Sequence, residues 1–142
     1  MTERVRVALA FAAEKHKGQV DRAGVDYIEH PKAVAGLLKE PTEDEIIVAL
    51  LHDTVEDTDA TADEIRSLFG DAVADAVACM THRTGVPYMD YVSGIKKNAI
   101  ARKVKMADLT HNMDLSRLPD ITDADRERVE KYKAAYRMLS ED

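Results

Sequence analysis

The residues of this 142-residue chain best placed to do chemistry lie between positions 46 and 58. There Ile46, Ile47, Val48, Ala49, Leu50 and Leu51 run into His52, Asp53, Glu56 and Asp57. The apolar spacing predicts a helix packed into a core. On one helix, residues four apart share a face, which places His52 over Glu56 and Asp53 over Asp57. A carboxylate taken from water without a partner is costly, so a counter-charge is expected, and a divalent cation is the strongest candidate. Two further candidates lie elsewhere: His30, beside the helix-opening Pro31, and Asp108, inside the apolar run Val104–Leu109. His30, His52, Asp53 and Asp108 would offer two imidazoles and two carboxylates. That set suits Mn²⁺, Fe²⁺, Co²⁺ or Zn²⁺ and leaves positions for water and substrate, whereas a closed structural zinc site favours cysteines. Spacing alone leaves plainer readings open: a solvated helix end, a hydrogen-bonded loop histidine at 30, and pairing of Asp108 with Lys105 or Arg102 in its own helix.

The remaining histidines carry weaker signals. His16 ends a helix, where the helix dipole explains it, and His82 lies in a charged loop beside Arg83 and reads as solvated. Asp108-x-x-His111 has the spacing of di-iron bundles, but no second helix repeats it. Tyr88 and Tyr91 read as core or cleft-rim residues. No phosphate-binding glycine loop or serine-hydrolase elbow occurs.

Helices must position these groups, since helix signals recur along the chain and strand signals barely appear. Residues 3–16 form an Ala-rich helical run ending near Gly18, and residues 19–29 read as a loop around Gly24. Pro31 suits the first turn of a helix carrying Ala33 to Leu38. Thr42 with Glu45 forms a capping box that opens the helix of the 50–58 segment, and Thr61 with Glu64 repeats it before Ile65 and Phe69. Gly70 suits a C-terminal cap, and Asp71 is expected to cap the following helix, through about Met80. Residues 81–87 form a loop, and Tyr88 to about Leu115 divides into two helices broken near 99–103. Thr122 or Asp123 starts a last helix reaching Leu139. The expected architecture is all-α, one compact helical bundle spanning residues 1–142.

Composition narrows the function classes. A net charge of −7 argues against a nucleic-acid partner, because phosphate backbones need clustered Lys and Arg. A small phosphorylated ligand needs only a metal and a few local cations. The single Cys79 excludes an internal disulfide, is compatible with a reducing cytoplasm and reads as an inert buried thiol. No stretch is apolar enough to span a bilayer, and the N-terminus lacks a signal-peptide pattern. Cytoplasmic localisation is the expectation, and the oligomeric state is not fixed by the sequence.

Several motifs in order resemble the HD-type hydrolase domain of RelA/SpoT homologues, especially the small single-domain alarmone hydrolases. They are Ala12-Ala13-Glu14-Lys15-His16-Lys17-Gly18-Gln19, Asp21-Arg22-Ala23-Gly24 with Tyr27-Ile28-Glu29-His30-Pro31, and Ala49-Leu50-Leu51-His52-Asp53-Thr54-Val55-Glu56-Asp57-Thr58. Phe69-Gly70 and Val104-Lys105-Met106-Ala107-Asp108-Leu109-Thr110-His111-Asn112-Met113 complete the set. The resemblance implies an HD-domain bundle with metal ligands His30, His52, Asp53 and Asp108, usually holding Mn²⁺. It makes Glu56 and Asp57 the catalytic acids, Arg22 part of a substrate-binding basic stretch and Asn112 a nucleotide contact. The implied reaction removes the 3′-pyrophosphate of ppGpp or pppGpp, giving GDP or GTP. Two departures stand out: Asp21 where relatives often carry a basic residue, and Leu115 where they often carry Thr near the base. These keep other nucleotide substrates (an adenine alarmone, NADPH, a nucleoside phosphate) as the alternative, with a non-catalytic sensing module as a third. Lys96, Lys97, Arg102 and Lys103 offer either replacement positive charge or a solvated helix face.

Overall fold

The computed structural model describes residues 1–116 and 118–141, and among these it contains nine helices and no strand. They are α1 (Glu3–Lys15), α2 (Glu29–Leu37), α3 (Glu43–Leu51), α4 (Thr54–Asp57), α5 (Ala62–Phe69), α6 (Asp71–Cys79), α7 (Tyr88–Ile95), α8 (Ala99–Met113) and α9 (Asp123–Ser140). The all-α expectation holds. Both capping boxes form, with the Thr42 and Thr61 hydroxyls accepting from Glu45 and Glu64 N–H groups, and Thr122 with Asp125 makes a third at the start of α9.

α3 is the pivot of the bundle. Ile47 through Leu51 are all buried, so the C-terminal half of the helix is apolar on every side and must be surrounded. α1, α2, α6 and α8 pack around it. α8 contributes Ala101, Val104 and Leu109 to the same core, and α9 closes it with Ala135 and Leu139. Polar groups at the end of α3 and on the inner face of α8 are consequently carried inside.

Three local expectations are corrected. The segment from Thr42 to Asp57 is not one helix: α3 stops at Leu51, and α4 starts at Thr54. His52 Nδ1 donates to Ala49 O at 2.6 Å and Thr54 Oγ1 to Leu51 O at 2.8 Å, so side chains compete for carbonyls a continuing helix would use. The break between α7 and α8 falls at residues 96–98, earlier than expected, because the Asn98 side chain accepts from Ala101 N–H and starts α8. Asp71 lies inside α6 and does not cap it. Gly70 both ends α5 and precedes α6, at a φ of 96° that favours glycine. No helix of the described residues is long and apolar enough to cross a membrane.

Candidate metal centre and substrate pocket

Ligand atoms of His30, His52, Asp53 and Asp108 lie within 4.8 Å of one another. His30 comes from the first turn of α2, His52 and Asp53 from the α3–α4 break, and Asp108 from the middle of α8. His30 Nε2 is 2.8 Å from Asp108 Oδ1, and His52 Nε2 is 3.1 Å from Asp53 Oδ2 and 3.3 Å from Asp108 Oδ1. The broken helix therefore turns His52 towards Asp108 and Asp53, and the stacking of His52 over Glu56 expected from a continuous helix does not occur.

The donors fit a divalent cation. His52 Nε2 is buried and has no hydrogen-bond partner in proper geometry, although two carboxylate oxygens stand close. Such atoms converge on a point between them. Because a carbonyl only accepts, Ala49 O fixes the proton on His52 Nδ1 and leaves Nε2 as the ligand atom. His30 Nδ1 lies 2.7 Å from His111 Nδ1. Ligation through His30 Nε2 places the proton on its Nδ1, which then donates to His111. Asp53 Oδ2 accepts the Tyr27 hydroxyl in a short hydrogen bond. Asp108 receives Lys105 Nζ on Oδ2 at 2.9 Å and Asn112 Nδ2 on Oδ1 at 3.1 Å. Each of the four candidate ligands thus has an orienting partner.

Electrostatics follow from this crowding. Burial alone would push the Asp108 carboxyl up, but Lys105 and His52 draw it well below the usual carboxylate range. Burial likewise opposes the charge on His52, yet Asp53 and Asp108 outweigh it and raise its pKa well above 6.5. At Asp57 the opposing pull of His52 is too weak to prevail. The partial burial of Asp57, then the charges of Asp53 and Glu56, push it up to about 6.

Glu56, Asp57, Tyr27 and Asn112 line one cleft with Asp53 and Asp108, a cavity of about 290 Å³. Lys105, Lys131, Tyr88 and Tyr91 also line it, with His82 and Tyr132. Glu56 Oε1 accepts the His82 backbone N–H at 2.5 Å. His82 is organised rather than loosely solvated, since its ring stacks on Tyr91 at 4.5 Å and its Nε2 meets Val86 O at 2.7 Å. Next to this cleft a second cavity of about 340 Å³ holds Arg22, Leu115, Asp125 and Arg128. Tyr27, Asn112 and Tyr132 line both cavities and mark their junction.

Arg22 lines only the second cavity, where the buried Asp125 carboxylate pairs with both Arg22 and Arg128. Asp21 lines the second cavity beside Arg22. Its Oδ1 accepts the N–H groups of Ala23 and Val25 and shapes the loop before α2. His16 is buried against the Tyr27 ring, with Nδ1 2.9 Å from Gln19 Oε1. Cys79 is half-buried. Sequence reasoning gave no role to Lys131, whose ring partner Tyr88 comes from a distant segment, or to Arg128, which pairs with Asp125 one turn earlier in α9. Tyr27 and His111 lay inside the quoted motifs without an assigned role.

An all-α bundle that closes two histidines and two aspartates around one point is the architecture of an HD-type metal centre. The HD domain family model matches residues 8–132, and the chain belongs to that family. Over 119 residues it is 43% identical to the guanosine-3′,5′-bis(diphosphate) 3′-pyrophosphohydrolase MESH1 of Danio rerio, covering 75% of this chain and 66% of that protein. Over 124 residues it is 36% identical to the bifunctional (p)ppGpp synthase/hydrolase SpoT of Escherichia coli, covering 78% of this chain and 18% of SpoT. A solved structure of a metazoan ortholog of SpoT that hydrolyzes ppGpp superposes with a TM-score of 0.82 at 25% identity, covering 98% of this chain and 86% of that one. The chain thus spans about two thirds of the small relative and under a fifth of the long one.

Proposed function

We propose that residues 1–142 form one HD-type, metal-dependent phosphohydrolase domain that removes the 3′-pyrophosphate from ppGpp or pppGpp, acting in the cytoplasm with Mn²⁺. The observation that carries this reading is a pair of cavities that share Tyr27, Asn112 and Tyr132: one is lined by Asp53 and Asp108 of the ligand cluster with Glu56 and Asp57, the other by Arg22. The names of the relatives supply the substrate. Pyrophosphate would lie over the ligand cluster, with the nucleoside and its 5′-phosphates across Asn112 beside Arg22.

His30, His52, Asp53 and Asp108 would hold the ion, which when bound acidifies water and offsets phosphate charge. Lys105 and Lys131 add fixed positive charge on the wall of the same cleft. Water attacks the phosphorus bonded to the 3′-oxygen, the P–O3′ bond breaks, and the 3′-oxygen takes a proton. Asp57, beside Glu56 on the wall of the cleft, is placed to exchange that proton. Glu56, fixed by the His82 amide, orients the attacking water. Lys131 lies 4.5 Å from the Tyr88 ring centroid, which keeps its ammonium at the cleft.

The test is pyrophosphate release from ppGpp by the purified chain with Mn²⁺, alongside GTP, NADPH and an adenine alarmone. Release from ppGpp that disappears in Asp53→Ala supports the proposal, and ppGpp left intact by metal-loaded protein overturns it. Leu115 in the second cavity favours one alternative, a nucleotide other than guanine, because its apolar side chain offers the base no hydrogen bond. Faster turnover of another nucleotide in the same panel would select it.

A further inference from the structure

Lys96, Lys97, Arg102 and Lys103 do not supply the metal cleft with charge. With Lys39 they line a separate open cavity of about 710 Å³ that shares no residue with either cavity of the proposed active site. α8 divides the two regions. Its Lys103, Met106, Ala107 and Thr110 recur at helical spacing on the face lining this cavity, while Lys105, Asp108 and Asn112 line the metal cleft.

Five cations and no acidic residue line the cavity, in a protein whose net charge is −7. Arg102 and Lys103 are held in place by the carbonyls of Leu139 at 2.5 Å and Lys39 at 2.9 Å, and Lys103 also meets Glu45 at 3.0 Å. Among the described residues Lys39, Lys96 and Lys97 have no carboxylate within ion-pairing distance. Between these cations lies an apolar floor that includes Leu38, Met106 and Tyr136, and Leu37 remains 45% exposed beside it. Unpaired ammonium groups around an apolar, partly aromatic floor match a ligand with several phosphates and a flat body. The volume is in the range of pockets that bury small ligands.

We infer that this cavity is a second ligand site, taking a nucleoside polyphosphate with its phosphates on Lys39, Lys96 and Lys97 and its ring against Tyr136 and Met106. The site goes beyond the hydrolytic reading and does not depend on it.

The experiment is equilibrium binding of ATP, which lacks a 3′-phosphate, to the full chain in EDTA, monitored by calorimetry. One ATP per chain is expected. The double variant Lys96→Glu/Lys97→Glu should weaken it at least tenfold with an unchanged melting temperature, since Lys97 is exposed, Lys96 only half-buried and neither is ion-paired among the described residues, while Asp53→Asn should leave it within twofold. Absence of ATP binding at millimolar concentration overturns the inference, as does binding lost in Asp53→Asn but kept in the lysine variant. Inorganic tripolyphosphate serves as the control for the ring: it should bind at least tenfold more weakly than ATP. Equal affinity would mean a charged surface rather than a nucleotide site, and would also overturn the inference.

Discussion

A cation entering the cluster must displace a proton from His52. Burial disfavours the charged imidazole, but carboxylate oxygens at 3.1 and 3.3 Å hold its pKa well above 6.5. In metal-free protein at neutral pH His52 is therefore protonated, whereas ligation needs a bare Nε2. Release of one proton per ion makes the apparent affinity rise about tenfold per pH unit, or about 1.4 kcal/mol, between pH 6.5 and the folded pKa. The same group sets a stability trend. Its raised pKa stabilises the metal-free fold below pH 6.5, and that contribution is lost as pH climbs through the folded value. The metal-free melting temperature should fall on the alkaline side, and the loaded protein should not share this loss. Titration calorimetry with Mn²⁺ at several pH values, in two buffers of different ionisation heat, measures the released proton directly. His52→Ala should abolish both the proton release and the tight site. Affinity independent of pH, with no proton released, would refute this account of the cluster.

Other perturbations test the surrounding groups. Asp57→Asn should lower turnover about 10²- to 10⁴-fold, as expected for loss of a group handling protons, while metal binding by dialysis stays near wild type. In metal-free protein the Asp57 carboxyl should titrate near pH 6 by carbon NMR, and adding Mg²⁺ as a diamagnetic probe should move it lower, because a neighbouring cation favours the charged form. Tyr27→Phe removes the hydroxyl bonded to Asp53 and should weaken metal binding about 10- to 100-fold with the fold retained. Leu51→Ala, at a fully buried position of the pivot helix, should cost about 2–5 kcal/mol in urea unfolding.

Local chemistry was legible in the sequence, and pairing across the bundle was not. The Thr42–Glu45 and Thr61–Glu64 boxes are complete within four residues, so their helices could be read from the chain. His52, Asp53 and Asp108 were singled out because ionisable groups inside apolar runs need a counter-charge, and His30 because it lies beside the helix-opening Pro31; the fold brings all four together. The break after Leu51 was hidden because it depends on His52 and Thr54 bonding to carbonyls three residues back, in a stretch whose apolar spacing continues a helix. His111 was set aside for want of a repeated partner motif. Its contact is His30, 81 positions away, and no spacing rule reaches that far. Asp21 lines the cavity that holds Arg22, and its Oδ1 also bonds the Ala23 and Val25 amides, a loop contact that comparison of motifs does not show.

The Lys105–Asp108 pair has a consequence for how ion and nucleotide influence one another. In metal-free protein the formal charges of Asp53 and Asp108 are balanced by protonated His52 and by Lys105. Exchanging the His52 proton for a divalent ion leaves one surplus positive charge where a polyphosphate would rest. Ion and nucleotide should thus bind as positive heterotropic partners, each tightening the other by the same factor. A nucleotide affinity that climbs with divalent-ion concentration would display that linkage, and without Lys105 the same exchange would only bring the centre to neutrality.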